Sequence, residues 1–264
     1  MSEPCTLITG ASSGIGSALA RALAPEGRSM VLVARRRERL EELASELHAA
    51  YGIQVWVFAT DLAASGAVEQ LLRDLAARDC SVHTLVNNAG FGLRGGFQQA
   101  SWEQMQRMLQ LMVEVPTQLI AAVLPAMRTA QEGRIINVAS LAGLIPGLPG
   151  SCLYSASKGF LIRLSQSLAA ENRPWGIRVM ALCPGYVHTE FHAVLGVEER
   201  MRRLPELFWM EADQVAAIAI RALAGSRVVV VNGWLNRLMA ALATSLPEPM
   251  AVWLSSAFSQ RFRR

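Results

Sequence analysis

Short runs of aliphatic and β-branched residues recur along the chain at Thr6–Thr9, Met30–Val33, Val55–Phe58, Thr84–Val86, Arg134–Val138, Arg178–Leu182 and Val228–Val231. Between them lie longer segments in which apolar positions return every three or four residues, as in Ile15–Leu23 and Arg39–Leu47. A strand period alternating with a helical one predicts parallel strands joined by helical crossovers. The runs are apolar throughout rather than alternately, as expected when helices cover both faces of a sheet. The pattern therefore predicts an α/β fold, a doubly wound parallel sheet of about seven strands with helices on both faces. No internal repeat or low-complexity linker divides it, and only the residues after Asn232 depart from it.

At 264 residues, 52% hydrophobic and 17% charged, the chain suits one large domain with a sizeable core and not a disordered one. No stretch reaches the roughly 18 uncharged apolar residues of a membrane span. The strand-like run that follows Met1-Ser2-Glu3-Pro4 leaves no room for a signal peptide. Cys5, Cys80, Cys152 and Cys183 show no paired spacing, which predicts reduced thiols in a cytoplasmic protein. The net charge is +4, with basic clusters at Arg35-Arg36-Arg37, Arg200 to Arg203 and Arg261 to Arg264. Aromatic residues do not interleave with these clusters in the manner of a stacking surface, so nucleic acid is not an expected partner.

The first run ends in Thr9-Gly10-Ala11-Ser12-Ser13-Gly14-Ile15-Gly16, just ahead of the first helical segment. Gly10 permits a tight turn, Gly14 lets a pyrophosphate approach the backbone, and Gly16 allows helix to pack closely on strand. The anion then sits on the free amides at the positive end of the helix. The second run ends in Val33-Ala34-Arg35-Arg36. A dinucleotide fold that prefers NAD carries an acid here for the ribose hydroxyls, whereas Ala34 followed by two arginines suits the 2′-phosphate of NADP(H). Thr60-Asp61-Leu62 closes the third run, which places Asp61 where the adenine amine would lie.

Lys158 is the one lysine in a chain whose lysines and arginines together number 25. An ammonium is a compact donor and a guanidinium a planar fork, so a lone lysine marks a place arginine does not serve; the plainer reading is a surface residue left by chance. Tyr154 lies four residues earlier, which on a helix puts phenol and ammonium on one face.

Taken in order, the turn at 9–16, Asn87-Asn88-Ala89-Gly90 after the fourth run, Ser140 after the fifth, Tyr154-x-x-x-Lys158, and Pro184-Gly185 after the sixth resemble the motifs of the short-chain dehydrogenase/reductase family over about residues 5 to 231. In detail the chain is similar to the NADP-preferring members, the ketoreductases and hydroxysteroid dehydrogenases. The resemblance implies a single-domain Rossmann fold over 1–231, a substrate lid at about 186–210, and a cytoplasmic homodimer or homotetramer. It implies that Tyr154 is the general acid for carbonyl reduction and the base in the reverse direction. Lys158 would favour the ionised phenol and bond the nicotinamide ribose, and Ser140 would hydrogen-bond the substrate oxygen. It further implies NADP(H) contacts from Gly10, Ser12, Ser13, Gly14, Ile15, Gly16, Arg35, Arg36, Asp61, Leu62, Asn88, Ala89, Gly90, Tyr154, Lys158, Pro184, Gly185, Val187 and Thr189, and no metal.

One phrase departs from the family. Met108-Leu109-Gln110-Leu111-Met112 stands where its members usually carry M-L-x-x-N, whose asparagine holds a water that relays protons from the lysine. A thioether is a weak acceptor. Three readings stand: a slower relay rebuilt through backbone carbonyls, a shifted alignment in which Gln110 or Glu114 serves, or an NADP(H)-binding protein of low or lost activity acting through partner or membrane contacts. With serine, tyrosine and lysine all present, the expectation is an NADPH-dependent oxidoreductase interconverting a hydrophobic ketone (3-oxoacyl, steroid-like or similar) and its secondary alcohol.

The lid segment holds Phe191, Val194, Leu195, Leu204, Leu207, Phe208 and Trp209, with Leu144, Leu148 and Leu153 as a facing wall, although each taken singly also suits core packing. His188 and His192 flank it with no acidic partner evident, and Arg200, Arg202 and Arg203 suit either the phosphates of a carrier-linked substrate or one solvated helix face. In the C-terminal extension, 232–264, apolar Met250, Trp253, Leu254, Ala257, Phe258 and Phe262 recur at helical spacing ahead of Arg263-Arg264. Such an amphipathic helix suits an anionic membrane surface, a subunit contact, which the family's oligomers favour, or packing back over the cleft.

Overall fold

All seven apolar runs are strands of one parallel sheet in a computed structural model that describes residues 3–93, 95–191 and 204–261, with side chains as far as Ala257. The strands are β1 (Glu3–Thr9), β2 (Ser29–Ala34), β3 (Val55–Ala59), β4 (Cys80–Asn87), β5 (Gly133–Val138) and β6 (Ile177–Cys183), then the short β7 (Tyr186–His188) and β8 (Trp209–Glu211), and finally β9 (Val229–Val231). The sheet runs β3-β2-β1-β4-β5-β6-β9, so the strand order reverses between β1 and β4, and ligands of such sheets bind at the carboxyl end of that switch. β7 and β8 form a separate parallel pair that the apolar runs did not announce, since three residues are too few to show a period.

The helices are α1 (Gly14–Leu23), α2 (Arg37–Tyr51), α3 (Ala67–Ala76), α4 (Trp102–Leu109), α5 (Val115–Ala130), α6 (Cys152–Asn172), α7 (Ala212–Leu223), α8 (Trp234–Ser245) and α9 (Glu248–Arg261). Successive side chains of a strand point to opposite faces, which divides the core in two. Ile8 and Leu32 pack with Leu19 of α1 and Leu40 of α2, whereas Leu7 and Val31 pack with Leu71 of α3 and Leu119 of α5. Each of these side chains is completely buried or nearly so, and burying one contributes about 1.5–3 kcal/mol. In α2 the buried positions Leu40, Leu43 and Leu47 follow the helical period, and Gly52, at φ +66°, closes the helix in the left-handed conformation. The helical run Trp102–Ala130 is long and apolar enough by composition to cross a membrane, but Leu119, Ile120 and Val123 lie against the sheet as a core helix does.

Two expectations are corrected here. Cys5 and Cys80 form a disulfide, so they are not reduced thiols, while Cys152 and Cys183 are free. Their separation of 75 residues conceals that β1 and β4 are neighbours in the sheet, which brings the two Cα atoms to 6.1 Å. The extension after Asn232 also stands less apart than its sequence suggests, because Asn232 and Asn236 are buried and the Asn236 side chain packs against Gly185.

Candidate active site

At the carboxyl end of the sheet the elements enclose a cleft of about 1610 Å³. Every anticipated site residue except Gly16 lines it, and Gly16 lies buried behind the turn.

The glycine turn is shaped by contacts that exclude larger residues. Gly10 and Gly14 have φ of +67° and +58°, and a methyl group on Gly10 would fall 2.7 Å from Asn88 Nδ2 and 2.9 Å from Ala89 Cα. Thr9 is the knot beneath the turn, a role that the sequence did not distinguish from its neighbours. Its hydroxyl accepts from the Asn88 and Ala89 amides at 3.0 and 3.1 Å and donates to Val86 O, while Asn88 Nδ2 donates back to the Thr9 and Gly10 carbonyls at 3.0 Å. Ser13 makes no side-chain cap and α1 has no acid in its first turn, which leaves the positive end of the helix open to an anion.

At the rim, Arg36 donates to Ser13 Oγ at 2.7 Å and to Glu190 Oε2 at 2.6 Å, so part of its charge is already paired. Arg35 lines the cleft with no hydrogen-bond or ion-pair partner among the described residues. Asp61 lines it too, but its Oδ2 receives Arg107 at 2.7 Å and its Oδ1 caps the Ala63 amide, so the anticipated adenine contact is in competition with an ion pair. Donors, an arginine with no hydrogen-bond partner among the described residues and an open helix end suit the phosphates of a dinucleotide and its 2′-phosphate.

Deeper in the cleft, α6 places Tyr154 and Lys158 on one face, with the Lys158 ammonium 5.8 Å from the centre of the phenol ring. Lys158 is buried, and its Nζ donates to the Val138 carbonyl at 2.7 Å. Burial holds the lysine well below its ordinary pKa, at about 8. Burial raises the Tyr154 pKa, and a hydrogen bond with Ser140 pulls it back only in part. Desolvation is the larger influence on the phenol, so the neutral form is favoured. The Ser140 hydroxyl, at the start of a short 3₁₀ turn, accepts from the Ala142 amide at 3.1 Å. Beneath it Cys183, close enough to feel the lysine charge, is kept a neutral thiol by burial, at about 12.

Met112 lies in a π-helical turn, Gln110–Glu114, between α4 and α5, and is 1% exposed. A methyl group on Gly90 would lie 3.6 Å from its sulfur and 3.7 Å from Lys158 Nζ, so the thioether stands beside the ammonium across a glycine. Glu114 is exposed, which disfavours it as a stand-in for the asparagine of the family.

Of the anticipated lid and wall, Phe191, Phe208, Leu148 and Leu153 line the cleft, while Leu204 is buried elsewhere, Leu207 is exposed and Leu144 joins the core beside Leu161 and Ile162. Val194, Leu195, His192, Arg200, Arg202, Arg203 and Phe262 lie outside the described residues. His188 does have acidic neighbours, Glu206 at 3.4 Å and Glu211 at 3.9 Å, because β7 pairs with β8; it stacks on Trp209 outside the cleft. The far wall comes from α8 and α9, through Leu238, Leu242 and Leu254, which the sequence left with three destinations.

A sequence model of the family described as short chain dehydrogenase matches residues 4–199. Among curated relatives, the sulfoacetaldehyde reductase of Chromohalobacter salexigens is 38% identical over 192 residues, 72% of this chain and 75% of the relative. Among solved structures, a short-chain dehydrogenase from Sphingobium yanoikuyae in complex with NADPH superposes with a TM-score of 0.80 at 33% identity, covering 93% of this chain and 97% of that one. The bulky-bulky ketone specific alcohol dehydrogenase from Comamonas testosteroni superposes at 0.75 and 29% identity, covering 94% and 96%.

Proposed function

Since the chain belongs to the short-chain dehydrogenase family and is an oxidoreductase of that kind, we propose that it uses NADP(H) to interconvert an uncharged, apolar ketone and its secondary alcohol. The observation that carries the substrate class is the apolar wall of the cleft, to which Ile145, Leu148, Leu153, Leu238, Leu242 and Leu254 contribute. The ketone in the name of the Comamonas enzyme is the kind of substrate this wall suits.

The residues present fit the cofactor. The glycine turn and the open end of α1 would take the pyrophosphate, Arg35 the 2′-phosphate, and Asn88, Ala89, Gly90, Pro184, Gly185, Val187 and Thr189 the nicotinamide half. The cofactor, when bound, supplies or accepts the hydride. The protein's own part is the proton. Tyr154, neutral at pH 7, donates from its hydroxyl to the carbonyl oxygen, Ser140 shares the developing charge on that oxygen, and the Lys158 ammonium lowers the cost of the phenolate left behind.

Loss of NADPH absorbance against a panel of apolar ketones, with sulfoacetaldehyde as the anionic comparison, tests the reading. Turnover of apolar ketones and not of sulfoacetaldehyde is expected, with NADPH binding tighter than NADH. Bound NADPH with no turnover of any ketone or alcohol sinks the enzyme assignment, and tighter NADH binding sinks the role of Arg35.

The position of Met112 favours a second, slower version of the same reading, because a thioether, a weak acceptor with no donor, stands beside Lys158 across Gly90. Met112→Asn is expected to raise kcat several-fold with little change in NADPH affinity. An unchanged or lower kcat would show that protons leave the site by another route.

A further inference from the structure

Glu190 is an acid placed where an anion is due to bind. It lies on the cleft wall two residues beyond β7, and its carboxylate reaches across the glycine turn to the start of α2. Oε2 accepts from Arg36 Nη1 at 2.6 Å, and Oε1 stands 3.7 Å from Arg39 Nη2. The hydrogen bond from Arg36, with Arg39 close by, holds the Glu190 carboxyl below the ordinary carboxylate range, so it is charged at neutral pH. Thr189 closes on the turn itself, since a methyl group on Gly14 would fall 2.8 Å from Thr189 Cγ2. Arg36 also donates through Nη2 to Ser13 Oγ at 2.7 Å and to Ser12 Oγ at 3.2 Å. Two guanidiniums with serine hydroxyls beside them, gathered round one anion, form a donor set that equally suits a phosphate.

That pairing bears on the cofactor. Arg35 and Arg36 line the cleft where β2 runs into α2, the place at which such a fold meets the adenosine ribose. Arg37 turns aside to pair with Glu41 along the helix. A 2′-phosphate that takes Arg36 must part it from Glu190, and until it does, carboxylate and phosphate face one guanidinium as like charges. The Arg36 and Glu190 side chains are each 45% exposed, and ion pairs so open to water are weak. A phosphate therefore displaces the carboxylate, at the loss of a share of its affinity. NADH has no 2′-phosphate and makes no such demand.

We propose that Glu190 is an internal competitor for the 2′-phosphate of NADP(H), occupying Arg36 between cofactors and so setting how strongly the protein discriminates NADP(H) from NAD(H). The proposal rests on the NADP(H) reading above and assigns to Glu190 a part in cofactor choice that its sequence position, 154 residues from Arg36, does not announce.

Fluorescence titration of the full chain with NADPH and with NADH tests it. Glu190→Gln keeps an acceptor for Arg36 and removes the charge. It is expected to tighten NADPH binding roughly three- to fivefold and to change NADH binding by less than about twofold. In an Arg36→Ala background the same substitution should bring no gain. Glu190→Ala is expected to act in the same direction, and decides the matter if the glutamine variant fails to fold. Unchanged or weaker NADPH binding overturns the proposal and makes Glu190 a positioning residue for Arg36. An equal gain for both cofactors overturns it too, because the charge would then act on the pyrophosphate they share. A wild type that binds NADH the tighter overturns the NADP(H) reading and this proposal with it, a failure that shows without any variant.

Discussion

Lys158→Met is expected to lower kcat by about a thousandfold and yet to leave the protein as stable at pH 7 as it was, or more so. The rate loss follows from removing the positive charge beside the proton donor, where general acid and electrostatic effects are worth about 10²–10⁴. The stability follows from burial. Lys158 falls from an ordinary 10.5 to about 8, which amounts to roughly 3 kcal/mol against its charged form in the folded chain. The unfolded chain binds that proton more tightly, so folding stability rises with pH between about 8 and 10.5, and the penalty is felt in full below about 8. Methionine removes it but leaves the Val138 carbonyl without its donor, a loss of about 1–3 kcal/mol. Thermal melts at pH 7 should therefore show an equal or higher melting temperature for the variant, with its relative advantage shrinking as pH rises towards 10. A clear fall in melting temperature at pH 7 would mean that the Val138 contact outweighs the desolvation. The wild type gives a second readout, since its ketone reduction should decline above about pH 8 as the ammonium is lost.

The parts of this molecule that sequence exposes are those whose physics is local. A strand buried on both faces must be apolar throughout, so β2 and β6 are visible as Met30–Val33 and Arg178–Leu182. A turn at positive φ with backbone on both sides must be glycine, so Gly10 and Gly14 are visible as well. Tyr154 and Lys158 fall four apart on α6 and needed only the helix to be right. What stays hidden is set by neighbours distant in the chain. Cys5 and Cys80 meet because the sheet order puts β4 beside β1. Asp61 and Arg36 are partly spoken for by Arg107 and Glu190, 46 and 154 residues away. Helical spacing at Met250, Trp253 and Leu254 identifies a stripe, but a stripe has no inside until the helix has something to pack on. Here Ser255 and Ala251 face the body and Leu254 lines the cleft, while Met250 and Trp253 are exposed. Burial likewise decides the protonation of the site: the sequence places a cation near a phenol, and only the enclosure around them makes desolvation the larger effect.

Gly16→Ala is expected to weaken NADPH binding at least about a hundredfold and to destabilise the fold by roughly 3 kcal/mol. The added methyl would lie 2.5 Å from Asn88 Nδ2 and closer still to the Gly10 carbonyl oxygen. Backbone cannot yield as a flexible side chain does, and such overpacking costs about 1–3 kcal/mol. Asn88 is also the donor that ties the Thr9 and Gly10 carbonyls, so moving it loosens two hydrogen bonds at about 1 kcal/mol each. The turn then shifts by a fraction of an ångström where its amides would meet pyrophosphate, and the expected weakening corresponds to about 3 kcal/mol of lost contact. Gly27→Ala serves as the control. Gly27 has φ +73° with nothing within 4 Å of the added methyl, so that change costs only the left-handed strain of about 1–2 kcal/mol and lies away from the cleft. Fluorescence titration with NADPH, alongside thermal melts, separates the two effects: both variants should melt lower, and Gly16→Ala alone should lose the cofactor. If Gly16→Ala binds NADPH within about threefold of the wild type, the turn at 10–16 is not what holds the phosphates.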